Sequence, residues 1–289
     1  MTGTTASYYK PVAHPGRRKA IFLRALVYAA AVTTVAILLF LIGYILVKGV
    51  PYLTPELFAW EYNSENVSMM PAIINTILMT ALSLLIAAPL GVFAAVYLVE
   101  YAKRGSRFVS VVRVTAETLA GIPSIVYGLF GLLFFVTRLQ WGMSLLAGAF
   151  TLAVMILPLI MRTTEEALKS VPDAYREGSF GLGAGRLRTV FSIVLPAAVP
   201  GILAGVILGI GRIVGETAAL IYTAGTVAKV PENLLSSTRT LSVHMYSLAR
   251  EGLNINQTYA TAVVLLIIVV GINALSSLVA RRLTKRNGA

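Results

Sequence analysis

Cysteine is absent from the 289-residue chain. A disulfide framework, a thiolate nucleophile and a cysteine-based zinc site are therefore excluded. Histidine occurs only at His14 and His244, too far apart in sequence to suggest a metal site. No Gly-Lys dipeptide occurs, so there is no Walker A lysine and no self-contained ATPase. His-Glu-x-x-His and Gly-x-Ser-x-Gly are also missing, which argues against an intramembrane hydrolase. Charge is scarce as well: 12% of residues are charged, against about 25% in soluble domains. What is abundant is apolar: 57% of residues are hydrophobic and the mean hydropathy is +0.81. A water-soluble globular enzyme is thereby excluded, and an all-α polytopic membrane protein is expected.

Six charge-free windows, each 20 residues or longer, divide the chain: Ala25–Val47, Asn66–Val99, Thr118–Thr137, Leu139–Met161, Thr189–Gly211 and Gly252–Ala280. Each is long enough to cross a hydrocarbon core of about 30 Å, which takes about 20 residues of helix. The fifth is expected to run on to about Ala224, because only Arg212 and Glu216 interrupt it. The first could be a signal peptide. Its 23 apolar residues exceed the usual signal core of about 7–15, and no small-residue cleavage site follows, so a retained helix is expected. Residues 1–19 have little to bury and are expected to be disordered. Residues 20–285 are expected to form one six-helix transmembrane domain.

The net charge of +12 is a distribution rather than a nucleic-acid signal. Eighteen of the 24 basic residues fall before the first window, after the second, after the fourth and after the sixth. By the positive-inside rule both termini face the cytoplasm. Six crossings require the same result. Outside, Tyr52, Phe58, Trp60 and Tyr62 are expected at the headgroup level. Leu234–Arg250 is expected to form a short interfacial helix.

Loop 162–196 is long, mixed in charge and cytoplasmic. Thr163–Leu168 reads as the end of a helix leaving the membrane. Pro172 opens a short helix with Asp173 in its first turn, where the helix dipole favours an acid. Gly181, Gly183 and Gly185 make a compact turn before Arg186 and Arg188. Within this loop Glu177-Gly178-Ser179, Gly183, Ile193 and Leu195-Pro196 follow a set spacing. That spacing resembles the cytoplasmic signature of binding-protein-dependent ABC importer permeases, with Gly178 and Ser179 in place of two alanines. Two further stretches resemble phosphate-specific importer permeases of the PstA type. They are Gly121-Ile122-Pro123-Ser124-Ile125-Val126-Tyr127-Gly128 and Gly211-Arg212-Ile213-Val214-Gly215-Glu216-Thr217-Ala218-Ala219. In the second, Ala219 stands where proline is common.

The resemblance implies a six-helix, MetI-like fold and a passive subunit that imports inorganic phosphate. ATP hydrolysis would occur elsewhere, with ATP and magnesium used by a partner ATPase dimer and no cofactor held by this chain. A second, PstC-type permease and an extracytoplasmic phosphate-binding protein are the other implied partners, in a bacterial plasma membrane and without nucleic acid. Glu177, Gly178, Ser179, Gly183 and Ala184 are implied at the ATPase contact. A permease for sulfate or molybdate is the near alternative, and an intramembrane enzyme the distant one.

The residues support a pathway without the resemblance. Arg212 lies 12 residues past Pro200, about 18 Å along a helix and near mid-membrane. An arginine there costs at least about 2.5–3.5 kcal/mol and should face a cavity or a partner. Glu216, four residues on, can pair with it on one helical face. The pair reads either as a structural ion pair or as an oxyanion contact to which Thr217 adds a hydroxyl. Glu216 could accept a proton-bearing phosphate oxygen, which sulfate lacks. Pro123 frees a helix carbonyl and Ser124 can satisfy it, as an ordinary kink or as pathway lining. Gly201, Gly205 and Gly209, with Gly211 and Gly215, read as helix-packing faces. Glu117 is expected to pair with Arg113.

Overall fold

A computed structural model of the protein describes residues 17–103 and 105–287, with side chains over 20–103 and 105–278. Among these residues the secondary structure is entirely helical. Residues 1–16, most of the segment expected to be disordered, lie outside the described residues.

Helix α1 (Arg17–Gly49) is apolar all round. Its most apolar stretch has a mean hydropathy of 2.6, long and apolar enough to cross a membrane. The remaining chain forms its own core. Helix α2 (Met70–Val96) ends in a π-helical turn, Tyr97–Tyr101. Helix α3 (Arg107–Ala120) is followed by α4 (Ser124–Gly131), which continues in π form to Arg138. Then come α5 (Leu145–Lys169), α6 (Asp173–Gly181), α7 (Arg186–Thr189) and, through a π turn, α8 (Leu195–Val214). Helices α9 (Ala218–Thr223), α10 (Leu241–Glu251) and α11 (Ile255–Asn287) complete the chain.

Five of these runs are long and apolar enough to cross a membrane, and the bent pair α3–α4 makes six if it is one crossing. The third crossing is thus not the straight helix expected over Thr118–Thr137. Pro123 supplies no amide hydrogen and biases its predecessor away from helix. α3 accordingly stops before Gly121, and α4 restarts at Ser124 at 102° to it. The fourth starts later than Leu139 because Gln140 and Gly142 both adopt positive φ. Ser144 then caps α5 by accepting from the Ala147 amide at 3.2 Å. The fifth does not reach Ala224: α8 ends at Val214 and a separate short helix follows.

The central core joins α2, α4, α5, α8 and α9 through side chains such as Met79, Tyr127, Leu152, Ile156, Ile213 and Leu220. Polar groups in this core satisfy themselves locally, as lipid surroundings require. Thr76, Thr80 and Ser83 each donate to the carbonyl four residues back in α2, and Thr151 does so in α5. The glycine stripe of α8 is a packing face, as expected: a Cβ at Gly201 or Gly205 would collide with Ala167 or Thr163 of α5. The same does not hold for Gly209, Gly211 and Gly215, where added Cβ atoms meet nothing closer than 3.6 Å.

Residues 53–69 and α10 form a cap over α2 and α11, with Leu57, Val67, Met69, Leu241 and Leu248 buried in it. The outer helix starts at Leu241 rather than Leu234, and Gly252 ends it in the left-handed conformation with φ +73°. Leu241 and Leu248 pack into this cap, while Val243 packs against the central core. Tyr62 packs against two residues of this region. The Arg239 guanidinium lies 4.5 Å from its ring centroid, and His244 meets the ring edge-on.

Candidate translocation site and coupling element

The intramembrane site is built on a helix break. The Glu216 amide donates to the Ile213 carbonyl at 3.1 Å, closing the last turn of α8. Glu216 then reaches forward, its Oε1 accepting from the Ala219 amide at 3.1 Å and so capping α9. A proline at position 219 has no such amide to give, so alanine makes this cap possible. The Glu216 carbonyl is held by the Ser242 hydroxyl of α10 at 2.6 Å. α4 approaches α9 backbone to backbone: a Cβ on Gly128 would lie 2.8 Å from Ala219 Cα.

The expected Arg212–Glu216 pair does not form. The helix ends between the two residues, and among the described residues Arg212 has no ion-pair partner. Arg212 instead lines a cavity of about 470 Å³ with Glu117 and with Arg113, Arg162 and Lys169, which are ion-paired to Glu165 or Glu166 of the same lining. The expected Arg113–Glu117 pair is also absent. Arg113 turns to α5, where buried Glu165 lies 2.5 Å from it and 2.6 Å from Lys169. A buried carboxylate on α5 wins over an exposed one on the same helix. Thr217 makes only a long 3.5 Å contact to the Gly215 carbonyl. Ser124 stands half-buried in the first turn of α4 and has no hydrogen bond to Arg212, Glu216 or Thr217.

The candidate coupling element is α6 and its turn. Glu177, Gly178 and Gly183 are exposed, Ala184 is half-buried, and Gly183 takes φ +81°, which favours glycine. Ser179 faces inward, its hydroxyl 2.8 Å from that of Thr189. Tyr175, Phe180 and Leu187 are exposed around the turn, and Leu182 is 91% exposed. Such a cluster marks a contact surface. Sequence reasoning passed over Arg176 and Glu100. Arg176 Nη2 donates to Glu100 Oε1 at 2.7 Å and to the Leu168 carbonyl at 2.9 Å, and Nη1 to the Val171 carbonyl at 2.8 Å. The available signal was Glu100 itself, a lone acid closing an apolar run just before a basic cluster.

Residues 87–288 match the family described as binding-protein-dependent transport system inner membrane component. The chain belongs to that family. It is therefore a permease subunit of an ABC transporter and not an enzyme, and a multi-pass membrane protein. The permease is 35% identical over 233 residues to the probable ABC transporter permease protein YqgI of Bacillus subtilis, covering 75% of this chain and 79% of that one. It is 34% identical over 235 residues to the phosphate transport system permease protein PstA 2 of Mycobacterium bovis, covering 78% and 77%. Among solved structures, a bacterial alginate ABC transporter in complex with an alginate-pentasaccharide-bound periplasmic protein superposes with a TM-score of 0.65 at 19% identity. That match covers 93% of this chain and 99% of the other, and it shows the shared fold.

Proposed function

We propose that the permease is the PstA-type subunit of an importer that carries inorganic phosphate into the cytoplasm. The observation that carries the reading is Arg212: a guanidinium at a helix break in an apolar bundle, without an ion-pair partner among the described residues, opening on a cavity whose other three cations are ion-paired to Glu165 or Glu166. A planar fork of donors suits an oxyanion in transit. The surrounding carboxylates keep the cavity from holding the anion too tightly. Glu216 spends one oxygen on the α9 cap. Its second oxygen accepts a proton-bearing phosphate oxygen, and Thr217 and Ser124 add hydroxyls to the path. The relatives named as phosphate permeases support the choice of substrate.

In this reading α6 docks on a partner ATPase dimer, which binds and hydrolyses ATP with magnesium while this chain holds no cofactor. Glu177, Gly178, Gly183 and Ala184 lie at that contact with Tyr175, Phe180 and Leu182, and Ser179 holds α6 from within. A PstC-type permease pairs with this one and an extracytoplasmic phosphate-binding protein delivers the anion. Both termini face the cytoplasm, as the basic residues indicate. Reconstitution of the assembled importer in liposomes tests the reading. ATP-dependent accumulation of phosphate, with sulfate and molybdate left outside, is expected. Accumulation of sulfate or molybdate in preference to phosphate would contradict it.

A further inference from the structure

α6 is held to the membrane helices by polar ties, because Ser179 is its only buried residue. Arg176 makes the larger tie. All five of its N–H donors are engaged: Nε and Nη2 on Glu100, Nη2 also on the Leu168 carbonyl, and Nη1 on the Val171 carbonyl and Asp173. One planar group thus joins α6 to the cytoplasmic end of α2 and the last turn of α5. Both charged side chains are sheltered, at 15% exposure for Arg176 and 8% for Glu100. Glu100 sits in the π-helical turn Tyr97–Tyr101, a departure from regular helix of the kind that recurs at functional sites. The same turn receives α7, whose Arg186 guanidinium lies 5.3 Å from the Tyr101 ring centroid.

We propose that the Arg176–Glu100 pair is the strut that carries a displacement of α6 into α2 and α5, so that both are positioning residues for energy coupling. The inference rests on α6 being the docking element. With almost no apolar contact beneath α6, a push on it reaches the bundle through this pair, the Ser179–Thr189 contact and the covalent links. Lysine cannot replace the arginine, since three donors on one nitrogen do not satisfy four separately placed acceptors.

The reconstituted importer, with phosphate uptake and ATP hydrolysis measured in the same vesicles, tests the strut. Glu100→Gln and Arg176→Lys should retain the ATPase subunits, because the exposed Tyr175, Phe180 and Leu182 are untouched. Phosphate moved per ATP should fall about five-fold or more, and Glu100→Asp should restore most of it. An unchanged ratio in both variants would overturn the strut. So would loss of the ATPase subunits from both, which would make the pair a folding element. Leu182→Glu separates the two ideas: ATPase retention with full uptake in that variant would remove the docking role of α6 itself.

Discussion

His244 gives the outer cap a defined response to acid. Burial, and next the Arg239 cation, lower its pKa from 6.5 to about 3, outweighing the Val67 carbonyl, which favours the proton. Neither ring nitrogen has a hydrogen-bond partner of good geometry. The folded-state pKa lies below the unfolded one, so the contribution is complete above about pH 6.5 and is lost as pH falls toward 3. At pH 5 the loss is about 2 kcal/mol. Melting temperatures at pH 7.5 and 5.0 should therefore differ more in the wild type than in His244→Leu; equal differences would show that the ring does not titrate as described. Glu216 makes a second prediction. Glutamine keeps an acceptor for the Ala219 amide, so Glu216→Gln should assemble normally, whereas Glu216→Ala should lose about 1 kcal/mol with the cap. Equal melting of the two variants would contradict the cap. Arg212 was legible in the sequence because a charge inside an apolar run must have a use. Its supposed partner was misread because the i, i+4 rule holds only while the helix continues, and this one stops at Val214.

Elements were legible where a chemical signal marks them. Pro172, Asp173 and the glycines delimit α6 and its turn, and the glycine period of α8 marks its contact with α5. The 102° bend was announced by Gly121-Ile122-Pro123 as a break, but its direction depends on α4 docking against α9, a long-range contact no local pattern encodes. The Arg176–Glu100 tie was hidden for the same reason, being 76 residues apart in sequence. Gly205→Leu should force α5 and α8 apart and cost about 1–3 kcal/mol, read as a lower melting temperature in detergent. An unaltered melt would mean that the two helices can separate freely. Gly183→Val strains a residue at φ +81° while leaving the membrane helices inserted. Reduced recovery of the ATPase with an inserted permease is the expected result, and normal recovery would show that the turn tolerates a side chain.

The whole molecule combines an apolar bundle, a charged cavity in which Arg212 is the cation without an ion-pair partner among the described residues, and a polar-tethered helix, α6. Reporter fusions after Arg107, Arg186 and Ala289 should read cytoplasmic, and fusions at Glu61 and Glu232 external. An external reading after Arg186 would separate α6 from any cytoplasmic ATPase. The central claim is that phosphate passes Arg212. The most direct test is uptake by the reconstituted importer carrying Arg212→Gln, with subunit composition measured on the same preparation. The account predicts a fully assembled complex that moves no phosphate; an assembled complex that transports at the wild-type rate would contradict it.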